Sequence, residues 1–293
     1  MAAFSSFFQD YMLLSNGKLI LSIFIYSKSK ERRKVMKKII LLLVLVLFAF
    51  SFAKSGAFAE DSIGWYTVRN SEHKQPRLDS TLAFVEKYGA VYVDRAHGDN
   101  NEEKVIYLTF DVGYENGNVE KILDVMKEEE VQSSFFVLGN IVEKNTELVK
   151  RMVNEGHIVC NHTYHHTDMT TVSSYEKFSE ELKLMESEFE EKTGSKMAKF
   201  FRPPEGKFNE MTLKYANDLG YKTVFWSFAY EDWDNNKQMS CTKALEKIRS
   251  NIHNGAILLL HPTSSTNAGI MKELIVSLKN EGYRFATLEE IGG

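Results

Sequence analysis

The sequence predicts an α/β protein, a distorted (β/α)7-type barrel preceded by a short amino-terminal lead-in. Three observations carry this. From Val105 onward, short runs rich in β-branched and aromatic residues alternate with helical patterns in seven β/α steps. Glycines at 156, 194, 220, 255 and 282 each fall just before a run, where a helix stops. The chain has no dinucleotide-type glycine fingerprint, which favours a barrel over an open doubly wound sheet.

The elements follow in order. Strand 105–110 opens onto a Gly-containing loop and leads to helix 118–130, where Val119, Ile122, Leu123 and Met126 mark one buried face. Strands are then expected at 134–138, 157–161, 200–202, 222–227, 256–260 and 283–287, and helices at 145–155, 173–192, 209–219, 242–253 and 267–280. Strands alternating with helices imply a parallel sheet joined by right-handed crossovers. The main domain spans 105–291, and residues 60–104 form a lead-in with a short helix near Leu82 to Tyr88 and a short strand at 90–93.

Residues 1–59 are expected to be absent from the mature protein. Two lysines, an apolar run from Ile39 to Ala53 and a small-x-small ending at Ala57, Phe58 and Ala59 make 36–59 a secretory signal. The apolar run is shorter than the roughly 20 residues of a spanning helix. Residues 1–35 carry neither a domain pattern nor a targeting pattern, which suggests an over-extended start upstream of Met36. The protein is therefore expected in the cell envelope or outside, meeting the membrane only during export, as a monomer. From Glu60 on, 27 Lys and Arg face 38 Asp and Glu, a net charge of −11. That excludes nucleic acid as a partner. Cys160 and Cys241 are too few for a disulfide framework, and Cys160, two residues before His162, reads as a small core residue.

A barrel gathers its strand ends on one face, so those ends can be compared. Strand one ends in Asp111, strand three runs into His162 and His166, strand four into Arg202-Pro203-Pro204-Glu205-Gly206, strand five toward Asp232 and Trp233, and strand six into His261. One such ending would be a turn residue; five in order argue for a site. His162 and His166 are four apart, a spacing that lets two imidazoles face one metal ion, although His165 offers an alternative spacing of three. Arg202 beside two prolines is a rigid donor fork suited to a carboxylate. Trp233 can wall a sugar site or be packed core.

TFDVG, HTYHH, RPPEG, the Asp-Trp pair and LLLH, in this order, resemble the family-four carbohydrate esterases, the polysaccharide deacetylases with a NodB-homology domain. More closely, GWY at Gly64, TFDVGYENG, NHTYHH, WSFAYEDWD and ILLLHPTSSTNA look like the spore-cortex enzymes that de-N-acetylate muramic acid on the way to the δ-lactam. The resemblance implies a secreted peptidoglycan N-deacetylase with Asp111 as base, His261 as general acid, Asp232 as the acid's partner and Arg202 orienting the base. It implies His162 and His166 as ligands of a divalent metal, zinc by preference, and Trp233, Leu260, Pro204 and Glu205 around the substrate, a peptidoglycan glycan strand. The backbone N–H of Glu205 would help hold the oxyanion.

Two departures stand out. Val112 replaces the aspartate that most of the family uses as third metal ligand, so the ion is expected to bind weakly. Glu205 stands where the cortex enzymes tend to carry a basic residue, and would repel the lactyl carboxylate of muramic acid. Two alternatives follow: a deacetylase of N-acetylglucosamine-type glycans, or a glycan-binding protein that has lost activity with its third ligand.

Overall fold

A computed structural model describes residues 61–291, together with the two-residue strands β1 (Leu14–Ser15) and β2 (Lys18–Leu19). These two pair antiparallel within a separate compact unit, residues 1–58. Apart from those four residues, the expected leader and signal segment lie outside the described residues. Among the described residues, no helix is long and apolar enough to cross a membrane.

The centre of the fold is β4 (Lys104–Val112), which pairs in parallel with β10 (Ala256–Leu260) along one edge. Its other edge is shared. β5 (Ser134–Val137) takes Thr109 to Val112, and β11 (Tyr283–Phe285) takes Lys104 to Ile106. From β5 the parallel sheet continues through β6 (Ile158–Asn161) and β7 (Ala198–Phe201) to β9 (Lys222–Thr223), seven strands in all. The strand expected at 222–227 is thus only two residues long. The chain there changes partners: Val224 N–H bonds to Phe201 O, Phe225 N–H to Val91 O and Ser227 N–H to Ile257 O. A bridge from Phe228 to Leu258 carries this segment back to β10, so the sheet curls round as a distorted barrel.

Alternation along β4 sorts its side chains. Val105 and Tyr107 point inward, where they pack with Phe136, Cys160, Val224 and Ile257. Ile106, Leu108, Phe110 and Val112 point outward into the main apolar cluster. That cluster is completed by helices α1 (Val119–Glu128), α2 (Gly139–Lys144), α3 (Thr146–Asn154), α4 (Tyr175–Thr193), α6 (Cys241–Arg249) and α7 (Ser265–Asn280). A further helix, α5 (Glu210–Asp218), packs against the lead-in and is opened by a capping box of Asn209 and Thr212. The four buried positions read in α1 are all present; the short α2 was not foreseen.

The lead-in is part of the same body. Its helix, Ser80–Tyr88, is of 3₁₀ type, and its strand is reduced to bridges from Val91 to Val224 and Val93 to Ala256, which plug the gap between β9 and β10. Trp65 stacks on Phe225 at 4.1 Å, and β3 (Ile63–Gly64) pairs with β8 (Lys207–Phe208), just beyond the Arg-Pro-Pro turn. Gly255, at φ 70°, makes the turn into β10 because a Cβ there would lie 2.4 Å from the Asp94 carbonyl oxygen. Both cysteines are free, Cys160 buried and Cys241 exposed.

His157, at the start of β6, is 5% exposed; its Nδ1 accepts from Ser133 N–H, and its Nε2 has no partner. Burial pushes its pKa down to about 4. The unfolded chain therefore binds a proton near pH 6.5 that the folded chain refuses, and stability is lost as pH falls from about 6.5 toward 4, by roughly 3 kcal/mol from this group. Urea unfolding at pH 7 and pH 5 should show the loss, and His157→Gln should reduce it while leaving the share of His162, whose pKa burial also lowers to about 4; an equal slope in both proteins would remove His157 as a cause.

Candidate active site

The inward face of β4 continues past Tyr107 to Thr109 and then Asp111, and the site is built on that row. Arg202, at the end of β7, is completely buried and reaches across the barrel mouth. Its Nη1 donates to Asp111 Oδ1 at 2.7 Å and its Nη2 to Thr109 Oγ1 at 2.9 Å. Nε donates to Val224 O at 3.1 Å and Nη2 also to Phe225 O at 3.3 Å, while the guanidinium lies 4.0 Å over the ring of Phe136. A buried charge this fully bonded is a fixed part of the framework. Burial would raise the Asp111 pKa, but the charge of Arg202, with that of His261, holds it below the usual carboxylate value.

His162 follows β6 directly and is 3% exposed. Its Nδ1 donates to Arg202 O at 2.8 Å, since a carbonyl can only accept. That fixes the tautomer and leaves the Nε2 lone pair turned toward Asp111 Oδ2, 3.6 Å away. Burial lowers its pKa to about 4, so the ring is neutral. The next residues turn sharply, with Thr163 at φ 71° and His166 at φ 59°, which brings the His166 ring edge-on to that of His162 at 5.2 Å between centroids. Gly139 allows this loop to pack, because a Cβ there would lie 2.6 Å from the Tyr164 ring. His165 is held elsewhere, its Nδ1 on Glu181 Oε2 at 2.9 Å.

The donor chemistry at His162 and His166 fits a divalent ion held by two imidazoles. No group of three or more His, Cys, Asp or Glu residues able to hold a metal occurs among the described residues. Val112 is 1% exposed and packed on the outward, helix-facing side of β4. Asp168 caps a turn through Thr170 N–H, and Cys160 is buried inside the barrel.

Opposite Asp111, His261 follows β10 and is paired with Asp232: Nδ1 to Oδ1 is 2.7 Å, and the His261 backbone N–H donates to Oδ2 at 2.8 Å. Burial pulls the His261 pKa down, but the Asp232 hydrogen bond and charge, with Asp111, raise it above the ordinary histidine value. The Trp233 ring is 6.0 Å from that of His261 and stands free at the rim, 57% exposed.

The remaining expected residues divide. Pro204 is buried in the 3₁₀ turn Pro204–Gly206, and Glu205, at φ 57°, projects from it into solvent. Glu205 Oε2 is 2.7 Å from Lys207 Nζ, which also lies 3.5 Å from Asp168 Oδ2. Leu260, expected as a pocket wall, is instead fully buried in the main cluster, because its parity on β10 turns it to the helices with Ala256 and Leu258.

The sequence profile of the polysaccharide deacetylase family matches residues 98–224. The chain is 40% identical over 240 residues to the peptidoglycan-N-acetylmuramic acid deacetylase PdaA of Bacillus subtilis, covering 82% of this chain and 89% of that protein. The solved structure of PdaA, a family 4 carbohydrate esterase, superposes with a TM-score of 0.74 over 79% of this chain and 97% of that one. The peptidoglycan-N-acetylglucosamine deacetylase PgdA of Listeria monocytogenes is 35% identical over 190 residues, 65% of this chain and 39% of that protein. BA3943 of Bacillus anthracis, a family 4 pseudoenzyme, matches at 29% identity and a TM-score of 0.60 over 65% and 66% of the two chains. On this identity and coverage, the chain belongs to the polysaccharide deacetylases of carbohydrate esterase family 4.

Proposed function

We propose that this chain is an exported peptidoglycan N-deacetylase that hydrolyses the N-acetyl group of N-acetylmuramic acid, in the muramic δ-lactam pathway of spore cortex. The likeness to PdaA supports the substrate. The observation that carries the chemistry is the facing pair of dyads, Arg202 on Asp111 and Asp232 on His261. Hydrolysis of an amide needs a base to take a proton from water and an acid to give one to the departing nitrogen. Asp111, clamped by Arg202, is kept ionised and takes the water proton. His261, held charged by Asp232 on Nδ1, turns Nε2 to the substrate and protonates the amine. A divalent ion held by His162 and His166 would supply a water of lowered pKa. Trp233 offers a flat face to a sugar ring beside the acid.

A second substrate, N-acetylglucosamine in a glycan strand, is favoured by one observation, the exposed carboxylate of Glu205 at the rim. Lys207 offsets that charge. Replacing Glu205 with Arg should raise the rate on muramic acid oligosaccharides relative to chitooligosaccharides, and Lys207→Ala should lower it. Acetate release measured on both sugars tests the substrate and the activity together. Unchanged ratios in both variants would mean the pair points away from the substrate, and no acetate from either sugar in metal-supplemented protein would favour a glycan-binding role.

A further inference from the structure

Behind the acid dyad lies a second layer that neither the strand-end residues nor the resemblance brought out. Asn267, in the first turn of α7, is completely buried. Its Nδ2 donates to Asp232 Oδ2 at 2.6 Å and to His261 O at 3.0 Å. Both partners can only accept, so the amide orientation is fixed: nitrogen toward the dyad, Oδ1 toward the hydroxyl of Tyr230, which must donate to it. Tyr230 is 5% exposed and keeps its proton, since burial and the nearby Asp232 raise its pKa. Asp232 thus accepts three hydrogen bonds, from His261 Nδ1, His261 N and Asn267 Nδ2, which together set the plane of its carboxylate.

We propose that Asn267, oriented by Tyr230, is a positioning residue that holds Asp232 square to His261 and so keeps the imidazole in the protonated, Nε2-outward state that general-acid catalysis requires. The inference rests on His261 being the acid, as proposed above. Without Asn267 both remaining donors to Asp232 come from His261 itself, so no second residue fixes the carboxylate plane against the ring; the imidazole can then tilt off the carboxylate and lose part of its stabilising charge. The other charged groups that set the His261 charge are Asp111, which supports it, and Arg202, which opposes it.

The test uses Tyr230→Phe, which deletes only the hydroxyl, and Asn267→Leu, which deletes the clamp at similar volume. In each, the His261 imidazole, followed by NMR as pH is raised, should lose its proton at lower pH than in the wild type, more so in Asn267→Leu. On the wild-type substrate, kcat should fall about 10- to 100-fold in Asn267→Leu with KM little changed, and the alkaline limb of its pH profile should move the same way. Because the titration is read on the resting protein, it stands whether or not the proposed sugar is turned over. An unmoved His261 titration in both variants, even with reduced kcat, would show that Asn267 serves packing alone and overturn the proposal. If Asn267→Leu does not fold, Tyr230→Phe decides it.

Discussion

Asp111→Asn and His261→Ala are each expected to lower kcat by about 100- to 10,000-fold while leaving KM within a few-fold of wild type. The first change keeps the geometry but takes the counter-charge from a buried guanidinium, so it should also cost some stability. An asparagine Oδ1 still accepts from Arg202 Nη1, which sits 2.7 Å from the carboxylate oxygen it would replace, so the Arg202 framework under Thr109 and Val224 stays bonded. What is lost is basicity. His261→Ala leaves Asp232 with two of its three donors, the residue 261 backbone N–H and Asn267 Nδ2, so the loop is expected to keep its course. What is lost is the proton for the leaving amine. Because both roles are exercised only in the transition state, the double variant should be little worse than the poorer single one. Turnover in either variant close to wild type would remove that residue from the chemistry.

Asp111, His162, Arg202 and His261 stood out as candidates because each sits at or just past a strand end beside a glycine, proline or further polar residue, where an apolar run stops abruptly; Asp232 lies in the long loop after β9. Parity was less legible. The run Ala256 to Leu260 is buried on both faces, so nothing in its composition tells inward Ile257 from outward Leu260, and the pocket-wall expectation fell on the wrong face. The residues that support the site were not legible at all. Thr109, Tyr230, Asn267 and Lys207 are ordinary polar residues whose roles exist only through partners as far as 93 positions away, or, for Lys207, through the turn that places it beside Glu205. The shortened β9 has a similar origin: residues 222–227 have strand composition, but three successive neighbours, β7, the lead-in and β10, divide them.

Val112→Asp is expected to change metal affinity and stability in opposite directions. The described residues offer two imidazoles, and catalytic zinc sites ordinarily use three protein ligands. The wild type is therefore expected to bind zinc or cobalt weakly, to gain activity as the ion is titrated in and to lose it to a chelator. Val112 sits at the last position of β4, 1% exposed, among Phe110, Val137 and Ile141. A carboxylate there, with no ion to meet it, faces a dry apolar cluster, and the metal-free variant should be less stable by about 2–4 kcal/mol. If its side chain can swing round the strand end toward His162, saturating metal returns that loss and adds to it, so the thermal midpoint rises steeply with added ion. Calorimetric titration and thermal unfolding, each with and without zinc, separate the cases. Tight binding by the wild type would mean that a ligand beyond His162 and His166 completes the site. Equal, weak affinity in both proteins would mean that position 112 cannot turn from the helix side of the sheet, and that these two histidines work without a third protein ligand or do not hold metal at all.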